Sequence, residues 1–244
     1  MNQPSAIALT TSKPDPGLCF LIRQFAAGDI RELVRKTSAR LSGRRPPYVA
    51  PADYHVPDSA ACKKAISLVR EASPDFLFGH CMRTHAFAVA MGHKVSKPVD
   101  REVLFLGCIM HDLGLTAAHD HGGTFELDGA KAAHHVCVSK GLSPDRADLV
   151  HEMVALHNSV GVAEYRQPEV ALVHYGAGAD VIGMWVHDID PKTLHEILEQ
   201  QPRDGFGEGM ARLIEDQVTR KPDSYMASMV RMGFLKKLRS ANLG

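Results

Sequence analysis

The sequence predicts an all-α protein, a single-domain helical bundle. Apolar residues recur at offsets of three and four, as in Val99, Val103, Leu106 and Met110, the spacing of one buried helix face. Helix-start signals punctuate the chain at Ser73-Pro74-Asp75, Ser143-Pro144-Asp145, Pro168-Glu169 and Asp190-Pro191, where proline suits the first helical position. No β-alternation of useful length, internal repeat or low-complexity tract is present.

Residues 1 to about 16 carry Pro4, Pro14 and Pro16 and form a loose arm. Residues from about 18 to 41 read as a helix, with Phe20, Phe25, Leu33 and Leu41 among charged residues. Gly43 to Pro57 is too rich in proline for a helix or central strand and crosses in extended form. Asp58 or Ser59 then caps a helix running to about Glu71. The next helix, capped at Ser73, places Phe76, His80, Thr84, Phe87 and Met91 on one stripe. The Pro98-Val99-Asp100 turn leads into an apolar helix that ends at His111-Asp112.

A flexible loop, His119 to Thr124, precedes a helix from about Ala130 to Lys140, stopped by Gly141. The helix begun at Ser143 aligns Ala147, Val150, Val154 and His157. Another, Val170 to about Val186, has an inner stripe of Val173, Gly176, Ala177, Asp180 and Met184. A short helix follows Asp190-Pro191, Gly205 to Gly209 reads as a loop, and two helices cover about 210–220 and 223–239. The expected divisions are an arm and helix over 1–50, the central helical domain over 51–190, and a helical extension over 191–244.

Lys+Arg and Asp+Glu are both 28 in 244 residues, so no basic excess points to nucleic acid or a membrane surface. The run Leu18 to Ile22 is too brief to span a bilayer, and no secretory leader is visible. Five cysteines, widely spaced and without a C-x-x-C pair, read as free thiols in a reducing compartment. A cytoplasmic protein with a small-molecule substrate is the expectation; a homo-oligomer is compatible with it.

His111-Asp112 is the anomaly that organises the rest. A buried, unpaired carboxylate at the inner end of an apolar helix is costly, and a metal ion is the obvious partner. His80 and Asp180 sit on inner stripes of two other helices. Two imidazoles and two carboxylates suit zinc first, and iron or manganese next, better than calcium or magnesium. Arg83, one turn beyond His80, reaches the same side; His157, Glu126 and His119 are candidates to move protons. His85, His134 and His135 read as structural or exposed, and Met184 and Trp185 as core.

The order His80, His111-Asp112, Asp180 on successive helices resembles the H…HD…D signature of the HD-domain superfamily of metal-dependent hydrolases. Val56-Pro57-Asp58, His80-Cys81-Met82-Arg83, Asp100-Arg101-Glu102-Val103, His111-Asp112-Leu113-Gly114 and Phe125-Glu126-Leu127-Asp128-Gly129-Ala130 are most similar to its cyanamide-hydratase-like branch, over roughly residues 50–190. The resemblance implies one divalent metal held by His80, His111, Asp112 and Asp180. Glu126 and His157 fall near positions where dinuclear relatives place histidines. Leu115 stands where many phosphohydrolase members carry lysine, which tilts the chemistry away from phosphate esters.

The resulting expectation is a hydrolase or hydratase in which metal-activated water attacks a nitrile-like or amide-like carbon. An HD-type phosphohydrolase, with Arg83, Lys131 and Arg166 as the available cations, is the alternative. A non-catalytic HD ligand-binding module is the third reading.

Overall fold

The computed structural model describes residues 45–243 as a continuous stretch; the arm and the helix expected over 18–41 lie outside it. Among the described residues there are ten α-helices and no strand, as the periodicity predicts. They are α1 (Ala60–Ala72), α2 (Asp75–Ala90), α3 (Arg101–Met110), α4 (Phe125–Ser139) and α5 (Pro144–Leu156). Then come α6 (Pro168–Ile182), α7 (Pro191–Gln200), α8 (Phe206–Arg220), α9 (Tyr225–Arg231) and α10 (Phe234–Ser240). No helix among the described residues is long and apolar enough to cross a membrane.

Caps explain several starts. Ser59 Oγ accepts from the Cys62 N–H, Asp100 from Glu102 and Val103, and Asp190 from Lys192 and Thr193, each satisfying donors that the first turn leaves unpaired. Ser73 does not cap α2: Pro74 occupies the cap position, and the Ser73 hydroxyl is buried with no hydrogen-bond partner among the described residues.

Four boundaries differ from expectation. The helix α4 begins at Phe125, five residues early, because Phe125 is buried against the loop that follows Asp112. The helix α6 stops at Ile182, where Gly183 turns left-handed (φ 72°). Gly205 to Gly209 is the start of α8 rather than a loop. Gly209 lacks a side chain because a Cβ there would lie 2.5 Å from the Phe76 ring, so it permits close packing on α2. The last predicted helix is two, α9 and α10, divided at Gly233 (φ 91°).

The helices α2 and α6 run against each other, as do α4 and α5. A Cβ on Gly176 would sit 2.2 Å from the Thr84 carbonyl oxygen, so only glycine allows α6 to approach α2 this closely. That approach brings His80 and Asp180, each one turn away, within reach. One apolar cluster fills the space among α1 to α6. A second joins Leu77, Leu115, Phe125 and Val160 to apolar faces of α8, α9 and α10. The candidate site lies where the two meet.

Candidate metal centre

The same local device orients two of its histidines. His111 and His157 stand just past the last turns of α3 and α5. Each directs Nδ1 back to a carbonyl oxygen three residues earlier, Cys108 O at 2.8 Å and Val154 O at 2.7 Å. Carbonyls in a last helical turn lack intrahelical partners, so these bonds form readily and fix both rings with Nε2 outward. His80, inside α2, directs Nδ1 to Asp180 Oδ2 at 2.7 Å. An acceptor facing Nδ1 places the proton there, which leaves Nε2 as a lone-pair donor.

The Nε2 atoms of His80 and His111 are 3.0 Å apart, and Asp112 Oδ2 lies 3.3 Å and 3.2 Å from them. Two lone pairs and a carboxylate at such distances repel unless a cation stands among them. Donors each about 2.1 Å from one metal would be separated by roughly 3.0–3.4 Å at right-angled to tetrahedral geometry. The three measured separations fall in that interval. All three residues are buried, and together they form a cluster able to hold a metal ion. Electrostatics agrees. Burial opposes charge on His111, but the Asp112 carboxylate outweighs it and pushes the imidazole up to about 10. Against its own burial, Asp112 is held well below the carboxylate range, chiefly by His111. The point favours positive charge, whether proton or metal cation.

The other expected residues are placed as follows. His157 is at the site: Nε2 is 3.5 Å from Asp112 Oδ1, and its ring meets that of His111 edge-on. Asp180 stands behind His80, apart from the triad. Both its oxygens receive the Arg83 guanidinium, Nε to Oδ1 and Nη2 to Oδ2, each at 2.8 Å. Arg203 Nε lies 3.2 Å from Oδ1. Arg83 is thereby consumed, its Nη1 donating to Pro202 O at 2.8 Å. Glu126 is fully buried; Oε1 accepts from Asn158 Nδ2 at 2.7 Å, and Oε2 has no hydrogen-bond partner among the described residues. His119 lies in a short turn and does not line the cavity over the triad. Asp120 beside it binds Lys221, Arg220 and Gln217, which pins the loop to α8.

His85 packs edge-on against Phe105, and burial pushes it down to about 3; it is a core residue, as expected. A cavity of about 70 Å³ opens over the triad. Its walls include residues that the periodicity assigned to plain core or passed over: Asn158, His174, Met184 and Trp185, with Met210, Met226 and Met229 from the C-terminal helices. Phe206 stacks on His80 with ring centroids 4.9 Å apart. Apolar letters at helical spacing look alike whether they meet another helix or a cavity, so no signal in the sequence marked these.

Residues 77–190 match the family described as the HD domain, a fold that is all-α and binds divalent metals. Over 171 residues the chain is also 24% identical to two Saccharomyces cerevisiae proteins, Cyanamide hydratase DDI2 and Cyanamide hydratase DDI3. The aligned region covers 66% of this chain and 76% of each yeast protein.

Proposed function

We propose that the protein is a metal-dependent hydrolase or hydro-lyase that adds water to a nitrile-like or amide-like carbon of a small neutral molecule. One observation carries it: three buried donors, with ring tautomers fixed from behind, converge at the floor of a cavity. His80, His111 and Asp112 would hold the metal, zinc before iron or manganese. A divalent metal bound there supplies a water of lowered pKa or polarises the substrate. His157 Nε2 takes a proton from the attacking water and returns it to the substrate nitrogen. Asn158, held by Glu126, orients the polar head. Asp180 keeps His80 in the correct tautomer, and Arg83 keeps Asp180 in place. His119 has no part in this scheme. Phe206 shields the outer face of His80 from water.

A phosphate ester would require cations over the substrate, and none of the described residues lining the cavity is Lys or Arg. Lys131 lies 4.0 Å from Asp128, and Arg166 lies 3.4 Å from Glu152, both with largely exposed side chains. Metal analysis of purified protein should find about one divalent metal per chain, lost in His111→Ala and Asp112→Ala. Full metal retention by both variants would refute the site. Turnover of nucleotides or phosphate monoesters, with none of cyanamide, nitriles or amides, would favour the phosphohydrolase. Tight ligand binding without any turnover would favour a binding module.

A further inference from the structure

We propose that the natural substrate carries an apolar body of several carbons, and that the C-terminal helices α8 to α10, with Trp185, select it. The proposal rests on the reaction above and specifies its substrate. Apart from the triad, His157, Asn158 and His174, the cavity is lined by apolar side chains, among them Phe125, Met210, Ile214, Met226, Met229 and Trp185. At roughly 10–15 Å³ for each water-sized group, the 70 Å³ holds about five to seven heavy atoms, so a substrate of three fills only about half of it. The rest would be apolar wall facing water, which a hydrocarbon body would displace favourably.

Two features show that the wall is built rather than left over. Trp185 is the single tryptophan of the chain and takes a left-handed backbone (φ 59°) despite its side chain. Such conformations persist only where the surroundings enforce them, and they concentrate at functional positions. Its ring meets His174 and Tyr175 edge-on at 5.2 and 4.9 Å. It fits because position 178 is glycine: a Cβ there would be 2.6 Å from the indole. The same cavity is lined by Met210, Met226 and Met229, whose flexible thioethers adjust to the shape of an apolar guest. With no Lys or Arg among the described residues that line the cavity, the guest is neutral.

The lone Trp185 provides the readout. Its emission is titrated in the metal-loaded protein with cyanamide, with linear nitriles from acetonitrile to hexanenitrile, and with hexanoate and hexylamine. Affinity should rise about fourfold per added methylene until the cavity fills, with both charged compounds far weaker. Met229→Ala should shift the optimum to a longer chain; if that variant does not fold, the unmodified protein's series still decides. Affinity independent of chain length, or charged compounds binding equally well, would overturn the proposal. Turnover of cyanamide without binding of longer nitriles would overturn the apolar-body assignment and leave the reaction standing. Graded binding without turnover of any nitrile or amide would support the pocket and remove the reaction.

Discussion

Asp180→Asn separates a metal ligand from a positioning carboxylate. Asp180 is fully buried, and burial alone would raise its pKa; His80 and Arg83 outweigh that and hold it at about 2, against an ordinary 3.8. That difference corresponds to about 2 kcal/mol of stability. The folded pKa is depressed, so this stability is fully present above pH 4 and is lost as pH falls toward 2. The amide removes it and turns an N–H toward the Arg83 guanidinium. In a body of this size the melting temperature at neutral pH should fall by roughly 4–8 °C, and the deficit should shrink in acid. Metal affinity should weaken about 10- to 100-fold, the usual cost of losing a group that orients a ligand. Saturating stoichiometry should not change. Calorimetric melts from pH 2 to 8 and a competition titration with a chelator measure both. If Asp180→Asn fails to bind metal at any concentration, as His111→Ala should, Asp180 is itself a ligand and the geometry described above is not that of the loaded site.

Other perturbations test the frame. Gly209→Ala drives a Cβ into the Phe76 ring and should cost about 1–3 kcal/mol by overpacking; an unchanged melting temperature would refute the close α2–α8 contact. Asp120→Asn releases the loop from Arg220 and Lys221. The effect should be about 1 kcal/mol or less, because such pairs near solvent contribute little, and it should diminish in high salt. Those cations hold the Asp120 carboxyl below its ordinary range, so its contribution should also vanish in acid. Cys62, Cys81, Cys108 and Cys137 are buried thiols, and burial pushes Cys137 up to about 12. A thiolate-specific reagent should therefore leave these four unmodified in the native protein and reach all five cysteines only after unfolding. Rapid native modification of any of the four would show that the core opens.

The three-and-four spacing made the inward direction of His80 legible, because a helix face is periodic. His111-Asp112 was legible because a charge pair ending an apolar helix has no cheap structural reading. What spacing does not encode is which atom of a residue faces which neighbour. Asp180 lies on the expected face, yet a carboxylate one helix away can bind a metal or the far nitrogen of the imidazole. In this structure Arg83 occupies both oxygens while Oδ2 also meets the far nitrogen of His80. Glycine misled at Gly205 to Gly209 because the residue has two uses, turning a chain and letting helices touch. Only the position of Phe76 distinguishes the second.

Floor and wall of the cavity are not independent. Residues 77–190 supply the His80, His111 and Asp112 floor, and α8 to α10 contribute Met210, Ile214, Met226, Met229 and Phe234 to the wall. The segment that joins them, Gln201 to Arg203, is bonded to the back of the floor at several points. Arg83 Nη1 donates to Pro202 O, Arg203 Nη2 to the Asp180 carbonyl at 2.6 Å, and Arg203 Nη1 to Ala241 O at 3.1 Å. Asp180 thus links His80 of the triad to the strap that seats the C-terminal helices. Met229 makes none of these strap bonds, so the apolar wall can change there while the floor keeps its shape. A substitution at Arg203 cannot do the same. It leaves part of the buried Asp180 charge uncompensated and loosens the end of α10 at once, so it should impair metal affinity and apolar binding together.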